Sequence, residues 1–298
     1  MELRHLRYFV CVAEELHFTR AAARLGISQP PLTMQIAALE AEMGVSLFIR
    51  SKRRVELTDA GRVFLVESRA ILERAGTAVA AARRAEFGEI GELRIGFTPA
   101  SAITIQFGVW IRSYRNRFPA VQLKLSEMTS ADQIVAIREK RLDAGFVREI
   151  PSEETSQSVL LSPVLKQRFL VVVAKEHNLA SRSSVGLKEL ADEPFVFFPA
   201  DRGTGLRGQI LALCASARFT PRVIQEVVEV SAIAGLVAAG LGISILPDVV
   251  QAIRLPGLIY LPINSRNAIT TLFLARHADR RSAVIRQFVE VVSEFPAS

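Results

Sequence analysis

The first sixty residues alternate short apolar stripes with tight-turn residues. Leu6, Phe9, Val10, Ala13 and Leu16 recur at three- and four-residue spacing and predict an amphipathic first helix. Thr19 is placed to N-cap a second helix over 20–25, which Gly26 ends. Ser28 is placed to cap a third, whose first turn tolerates Pro30 because the missing N–H has no partner to lose. Leu32, Ile36, Leu39 and Met43 form its apolar stripe, and Gly44 ends it. Two short apolar runs, Phe48-Ile49 and Val55 with Leu57, flank Arg50-Ser51-Lys52-Arg53-Arg54 and predict a hairpin with a basic tip.

A long helix follows from Thr58-Asp59 to about Phe87, free of proline. Phe64, Ser68, Ile71, Ala75, Ala78 and Ala82 step by three and four residues, averaging the coiled-coil period of about 3.5. Small residues on that seam suit close pairing of two helices. The same pattern also fits one surface helix lying on its own domain.

Beyond Gly88 and Gly91 the pattern turns to β-α alternation. Strands are predicted over 93–97, 121–127, 144–147, 169–174, 194–198, 222–226, 243–246, 258–262 and 270–275. Helices are predicted over 103–118, 131–142, 206–217, 231–239 and 282–295. The run 169–174 is apolar on both faces, as a sheet covered on both sides requires. About two hundred residues exceed one such sheet, so two lobes are expected. The first spans 91–163 and 265–298 and the second 164–264, with a ligand groove between them beyond the strand ends.

Composition changes this picture little. With 298 residues, 50% hydrophobic and 22% charged, the chain is an ordinary globular one. The longest apolar runs fall short of the roughly 18 residues a membrane helix needs. The amino terminus reaches Glu14 and Glu15 before any signal-like apolar stretch, so a soluble, cytoplasmic protein without membrane contact is expected. Cys11 and Cys214 sit singly among apolar neighbours, and the four histidines show no ligand spacing, so neither a metal nor a cofactor is implied. The net charge of +7 favours an anionic partner, but residues 1–90 carry only +2 of it.

The strongest chemical signal lies in residues 18–37. Small Ala22, a Gly26 turn and a following helix with Leu32 and Ile36 inward are what helix-turn-helix packing needs. Gln29, Thr33 and Gln35 are then expected to face outward near the start of the second helix, where base edges are read in the major groove. The basic tip is expected to reach phosphates or the minor groove as a wing. A helical hairpin buried in a larger core is the plain alternative. In the second half, 203–208 spells a literal GxGxxG, but Ala200-Asp201-Arg202 separates it from its strand. An anion-binding helix start fits better than a dinucleotide site.

The opening residues 1–9, then Phe18-Thr19-Arg20-Ala21-Ala22, Ser28-Gln29-Pro30-Pro31-Leu32, Gln35-Ile36, Leu39-Glu40 and Leu57-Thr58-Asp59-Ala60-Gly61, resemble the LysR-type transcriptional regulators. The resemblance covers the whole chain. It implies an α/β protein with a winged helix-turn-helix over 1–58 and a linker helix over 59–90 that pairs subunits. A two-lobed effector domain of the periplasmic-binding-protein-like type 2 would fill 91–298. The implied DNA-contacting residues are Thr19, Ser28, Gln29, Pro30, Pro31, Thr33, Met34, Gln35, Arg50, Lys52 and Arg53. Met34 departs from the polar or basic residue the family often has there, which leaves the base it reads open.

Arg94-Ile95-Gly96-Phe97, Asp143-Ala144-Gly145-Phe146 with Arg148, and 235–247 resemble the branch that senses aromatic acids and muconate-like catabolites. The implied pocket residues are Thr98, Ala100, Ser101, Thr129, Ser130, Arg148, Phe198, Pro199, Gly203 and Thr204. Ala100 stands where that branch places a serine, with Ser101 next. A carboxylate would be held by hydroxyls, helix amides and one bidentate Arg148; an interlobe salt bridge is the competing role for that arginine. The implied partners are an interrupted palindromic duplex DNA operator, a small carboxylate effector and further copies of the chain as a dimer of dimers, that is, a homotetramer. RNA polymerase is a further contact that an activator of this kind allows. A transport-type solute-binding protein and an α/β enzyme are the rival readings; the helical head opposes the first, and no catalytic constellation supports the second.

Overall fold

The computed structural model describes residues 1–51, 54–148, 158–200, 205–279 and 282–295. The chain divides into two units, Met1–Arg84 and Ala85–Ser298. Among the described residues no helix is long and apolar enough to cross a membrane.

The first unit is three helices and a two-stranded wing. Helix α1 (Leu3–Glu15) buries Leu6, Phe9 and Ala13 of the predicted stripe together with Cys11 and Val12, while Val10 is half-buried and Leu16 exposed, and His5 Nδ1 accepts from the Glu2 N–H at its start. Helix α2 (Phe18–Leu25) is capped by His17, whose Nδ1 accepts from the Arg20 N–H at 3.4 Å, and not by Thr19. Gly26 ends it with φ 69°, a left-handed conformation that glycine adopts without steric cost. Helix α3 (Gln29–Met43) buries Leu32, Ile36 and Leu39; Ser28 occupies its N-cap, but the Ser28 hydroxyl makes no capping bond. Strands β1 (Phe48–Arg50) and β2 (Val55–Leu57) pair antiparallel. Phe9 is fully buried, its ring 5.4 Å from Phe48 and 4.9 Å from Phe64. Helix α4 (Asp59–Glu86) begins with Thr58 Oγ1 accepting from the Gly61 N–H at 2.8 Å. Phe64, expected on a seam, instead packs into this core. From Ile71 onward α4 buries none of its residues, and Val63, Val66, Ile71 and Val79 are exposed.

The second unit is built on mixed sheets. β3 (Gly91–Phe97) pairs parallel with β4 (Val121–Glu127) on one side and β5 (Ala144–Val147) on the other. Between β3 and β4 lie the short α5 (Pro99–Ala102) and α6 (Ile105–Arg117), and α7 (Ser130–Arg138) links β4 to β5. Every residue of β5 is buried, because helices cover both faces. On one face Trp110 stacks on Phe146 with centroids 5.2 Å apart and rings 2° from parallel.

β6 (Val159–Ala174) is longer than the six-residue strand the apolar run predicts. Its first part, through Arg168, pairs antiparallel with β11 (Ile269–His277), and Pro163 sits at the register shift that lets a proline remain in a strand. From Phe169 the same strand enters a second sheet between β9 (Ser244–Pro247) and β10 (Leu258–Pro262). Around it lie β7 (Pro194–Phe197), α8 (Gly205–Ser216), β8 (Arg222–Glu226), α9 (Val230–Ala238) and finally α10 (Ala283–Glu294) beside the first sheet. Two large apolar cores result, one around Trp110, Phe146 and Phe288 and one around Phe169, Phe197 and Ile233, with a smaller cluster around Ile134, Ile137 and Val147. β6 passes from one to the other.

Candidate functional site

The outward face of α3 starts with Ser28, Gln29, Pro30 and Pro31, all exposed, followed by Met34 at 64% exposure. Thr19, on α2, donates its hydroxyl to Gln29 Oε1 at 3.0 Å. That bond occupies the amide oxygen and restrains the side chain's orientation. Thr33 and Gln35 do not face outward as expected. Gln35 is half-buried and its Oε1 pairs with His5 Nε2 at 2.8 Å, while the Thr33 hydroxyl is buried without a partner. Of the wing residues, Lys52 and Arg53 lie outside the described residues. Arg50 is turned back on the domain: it meets Glu40 Oε2 at 2.5 Å and its guanidinium lies 5.2 Å from the Phe18 ring centroid. Glu40 Oε1 also accepts from the Leu47 and Phe48 N–H groups, so this one carboxylate joins α3 to the base of the wing.

In the second unit a cavity of about 270 Å³ lies between residues of the Phe197 core and the ends of β3, β4 and β5. Thr98, Ala100, Thr129, Ser130, Arg148 and Phe198 line it. Ser101 does not: it is fully buried and its hydroxyl bonds Thr98 Oγ1 at 2.7 Å. Pro199 is half-buried outside the lining, and Gly203 and Thr204 lie outside the described residues. The GxGxxG stretch therefore contributes Gly205 and Leu206, at the start of α8, to the wall.

Arg148 follows β5 and is 1% exposed. Its guanidinium donates to Thr270 Oγ1 at 3.3 Å and to Gln167 Oε1, both on the strands that join the two cores. Its N–H donates to Ser130 Oγ at 3.1 Å, and its carbonyl accepts from Gln209 of α8. Among the described residues its Nε has no hydrogen-bond partner and no carboxylate reaches ion-pair distance, the Asp248 charge acting on it only at longer range. The salt-bridge role is thus unsupported there. Burial pushes this guanidinium down to about 10 against the opposing pull of the Asp248 carboxylate, so it remains charged at neutral pH in an unfavourable setting.

Three carboxylates also line the cavity. Glu127 ends β4, Asp132 lies in the first turn of α7, and Glu229 precedes α9. Asp132 Oδ2 accepts from the Thr129 hydroxyl at 2.8 Å. Glu229 is held above the usual carboxylate range, first by burial and then by the charge of Glu127. Both thiols lie away from this cavity and are buried, and burial raises Cys214 to about 11.

Residues 3–62 match the bacterial regulatory helix-turn-helix protein, lysR family, and residues 88–296 match the LysR substrate binding domain. The chain belongs to the LysR family of transcriptional regulators. It is 44% identical over 274 residues, 92% of this chain and 91% of the relative, to the uncharacterized HTH-type transcriptional regulator YnfL of Escherichia coli K12. It is 33% identical over 291 residues, 98% of this chain and 95% of the relative, to the HTH-type transcriptional regulator AlsR of Bacillus subtilis 168. Among solved structures it is similar to full-length CbnR complexed with its target DNA, with TM-score 0.82, 29% identity and 99% of both chains covered. It is a DNA-binding LysR-type regulator with a substrate-binding domain.

Within that LysR frame, two of the family-like stretches have structural reasons. Asp143, 2% exposed, accepts from Arg94 Nε at 3.1 Å, from its terminal nitrogen at 3.0 Å and from its backbone N–H at 2.7 Å, tying β5 to β3. Gly96 and Gly145 leave room for the buried Gln133 side chain, which an added Cβ at either position would meet within 2.9 Å. Sequence reasoning missed Glu127, Met128, Asp132, Val228, Glu229 and Val230 in the cavity wall. A carboxylate at a strand end carries no sequence signal of where it points.

Proposed function

We propose that this LysR-type regulator binds an interrupted palindromic operator and that a small carboxylate in the second unit's cavity sets that grip. The observation that carries the reading is Arg148, a buried guanidinium facing a cavity with no carboxylate partner among the described residues. A buried charge whose nearby carboxylate, Asp248, makes no ion-pair contact with it is costly, and a ligand carboxylate is the counter-ion whose planar geometry matches the guanidinium fork. Thr129 and Ser130, at the start of α7, add a hydroxyl and a helix amino end beside it.

In this reading residues 1–58 are the DNA-binding head, 59–90 the pairing helix and 91–298 the effector domain. Gln29 and Met34 meet base edges, Thr19 holds Gln29 in place, and Lys52 and Arg53 meet the DNA backbone or minor groove. The exposed Val63, Val66, Ile71 and Val79 of α4 support pairing of two chains, with dimers of dimers on the operator. The protein acts in the cytoplasm as an activator that contacts RNA polymerase. Ligand affinity must differ between two arrangements of the lobes for the signal to reach the DNA. Aromatic and muconate-like acids are the first class to screen.

The test is footprinting on the DNA upstream of its own gene with a panel of small carboxylates. At least one acid should change the footprint of the wild type and none should change that of Arg148→Met. An unchanged response in the variant contradicts the pocket assignment.

A further inference from the structure

The cavity is two-signed, and its acidic groups outnumber its basic one. Three carboxylates, Glu127, Asp132 and Glu229, line it against the single guanidinium of Arg148. Asp132 has local compensation, since it accepts from the Thr129 hydroxyl and sits in the first turn of α7, where negative charge is favoured. Glu127 and Glu229 have none: no cation among the described residues pairs with either. They also come from different halves of the unit, Glu127 from the end of β4 beside the Trp110 core and Glu229 from the start of α9 beside the Ile233 core. Like charges facing across a cleft hold it apart. A cation placed between them would remove the repulsion and draw the halves together.

Resting on the reading that Arg148 takes a carboxylate, we propose that the effector is a zwitterion, with its carboxylate at Arg148 and a protonated amine between Glu127 and Glu229. The buried Arg148 with its unpartnered Nε marks the anion pole, and the unpaired carboxylates mark the cation pole. A muconate-like dianion would instead set its second carboxylate against three of its own sign. The same two contacts explain how a ligand changes shape. The amine binds better when Glu127 and Glu229 approach, so the ligand has the differential affinity for a closed form that regulation requires.

The test uses thermal shift on the full-length protein with matched pairs of probes: 6-aminohexanoate against adipate, and 4-(aminomethyl)benzoate against terephthalate. The amino member of at least one pair should bind at least tenfold more tightly than its dicarboxylate partner. The Glu127→Gln/Glu229→Gln double variant should erase or invert that preference. Tighter binding of the dicarboxylates overturns the zwitterion and leaves the carboxylate at Arg148 standing. Binding of hexylamine that equals 6-aminohexanoate and survives Arg148→Met overturns the carboxylate pole as well. A readout independent of any probe accompanies these. Without ligand, the double variant should unfold at a higher temperature than the wild type, because an unpaired repulsion has been removed. An unchanged or lower unfolding temperature overturns the proposal, and it alone decides should no probe bind.

Discussion

Arg148→Met separates a ligand-binding arginine from a structural one before any ligand is known. Burial lowers the guanidinium from its ordinary arginine value to about 10, against the attraction of Asp248. At about 1.4 kcal/mol per unit, that is a penalty on the order of 3 kcal/mol for holding the charged form in the folded chain. The sign follows from a basic group whose folded value is depressed. The penalty is present in full below pH 10 and fades as pH rises toward the unfolded value, so at neutral pH it is fully felt. Methionine fills a similar volume without charge and recovers that amount. Against it stand the lost bonds to Thr270 and Gln167, the latter leaving a buried acceptor stranded at a cost of about 1–3 kcal/mol. The ligand-free variant should therefore lie within about 2 kcal/mol of the wild type on either side. For a domain of this size that is a shift of a few degrees, at roughly 2–4 °C per kcal/mol. Thermal unfolding followed by circular dichroism at neutral pH measures it. An effector at a hundred times its dissociation constant should stabilise the wild type by about 2.7 kcal/mol and the variant not at all. Loss of 10 °C or more in the ligand-free variant would refute the reasoning, since breaking a buried ion pair costs about 3–5 kcal/mol.

Gln29→Ala should cost roughly 1–3 kcal/mol on the cognate operator and little on random DNA, measured by competition binding; Thr19→Val should reproduce part of that loss by freeing the amide. Asp143→Asn keeps the shape but removes the charge shared by three Arg94 groups, and should destabilise the second unit by about 2–3 kcal/mol in denaturant titrations. Equal stability would show the fork to be incidental. Glu14, on α1, is held below its usual range first by the hydrogen bond from Arg69 of α4. Its contribution is complete above the ordinary carboxylate range and disappears on acidification. Glu14→Gln should thus lower the head's unfolding temperature slightly at pH 7 and not at pH 3.

Much of this molecule is written in local pattern. The strands at Val121–Glu127 and Ala144–Val147 fall where apolar spacing puts them, and Gly26 and Gly44 end their helices with positive φ. Where the pattern fails, a distant residue has decided. Gln35 has the position of an outward residue until His5 of α1 claims its amide. Arg50 looks like a wing cation, but Glu40 holds it against the head. The stretch ahead of Phe169 contains Pro163 and mixed polarity, and becomes strand only because β11 pairs with it. Arg148 could be singled out from its resemblance, but its lack of a carboxylate partner could not. The acidic groups were illegible for the same reason: Glu127 and Glu229 are about a hundred residues apart, and the fold alone brings them to one cavity.

The central claim is that a ligand in the cavity governs how the head selects DNA. Competition footprinting of the purified full-length protein on its own upstream DNA against random-sequence competitor, with and without the zwitterionic and carboxylate probes, tests it most directly. The account predicts protection of an interrupted palindrome that survives competitor and shifts when a bound probe is added. Protection no stronger on the upstream fragment than on competitor, with every probe present, would contradict it.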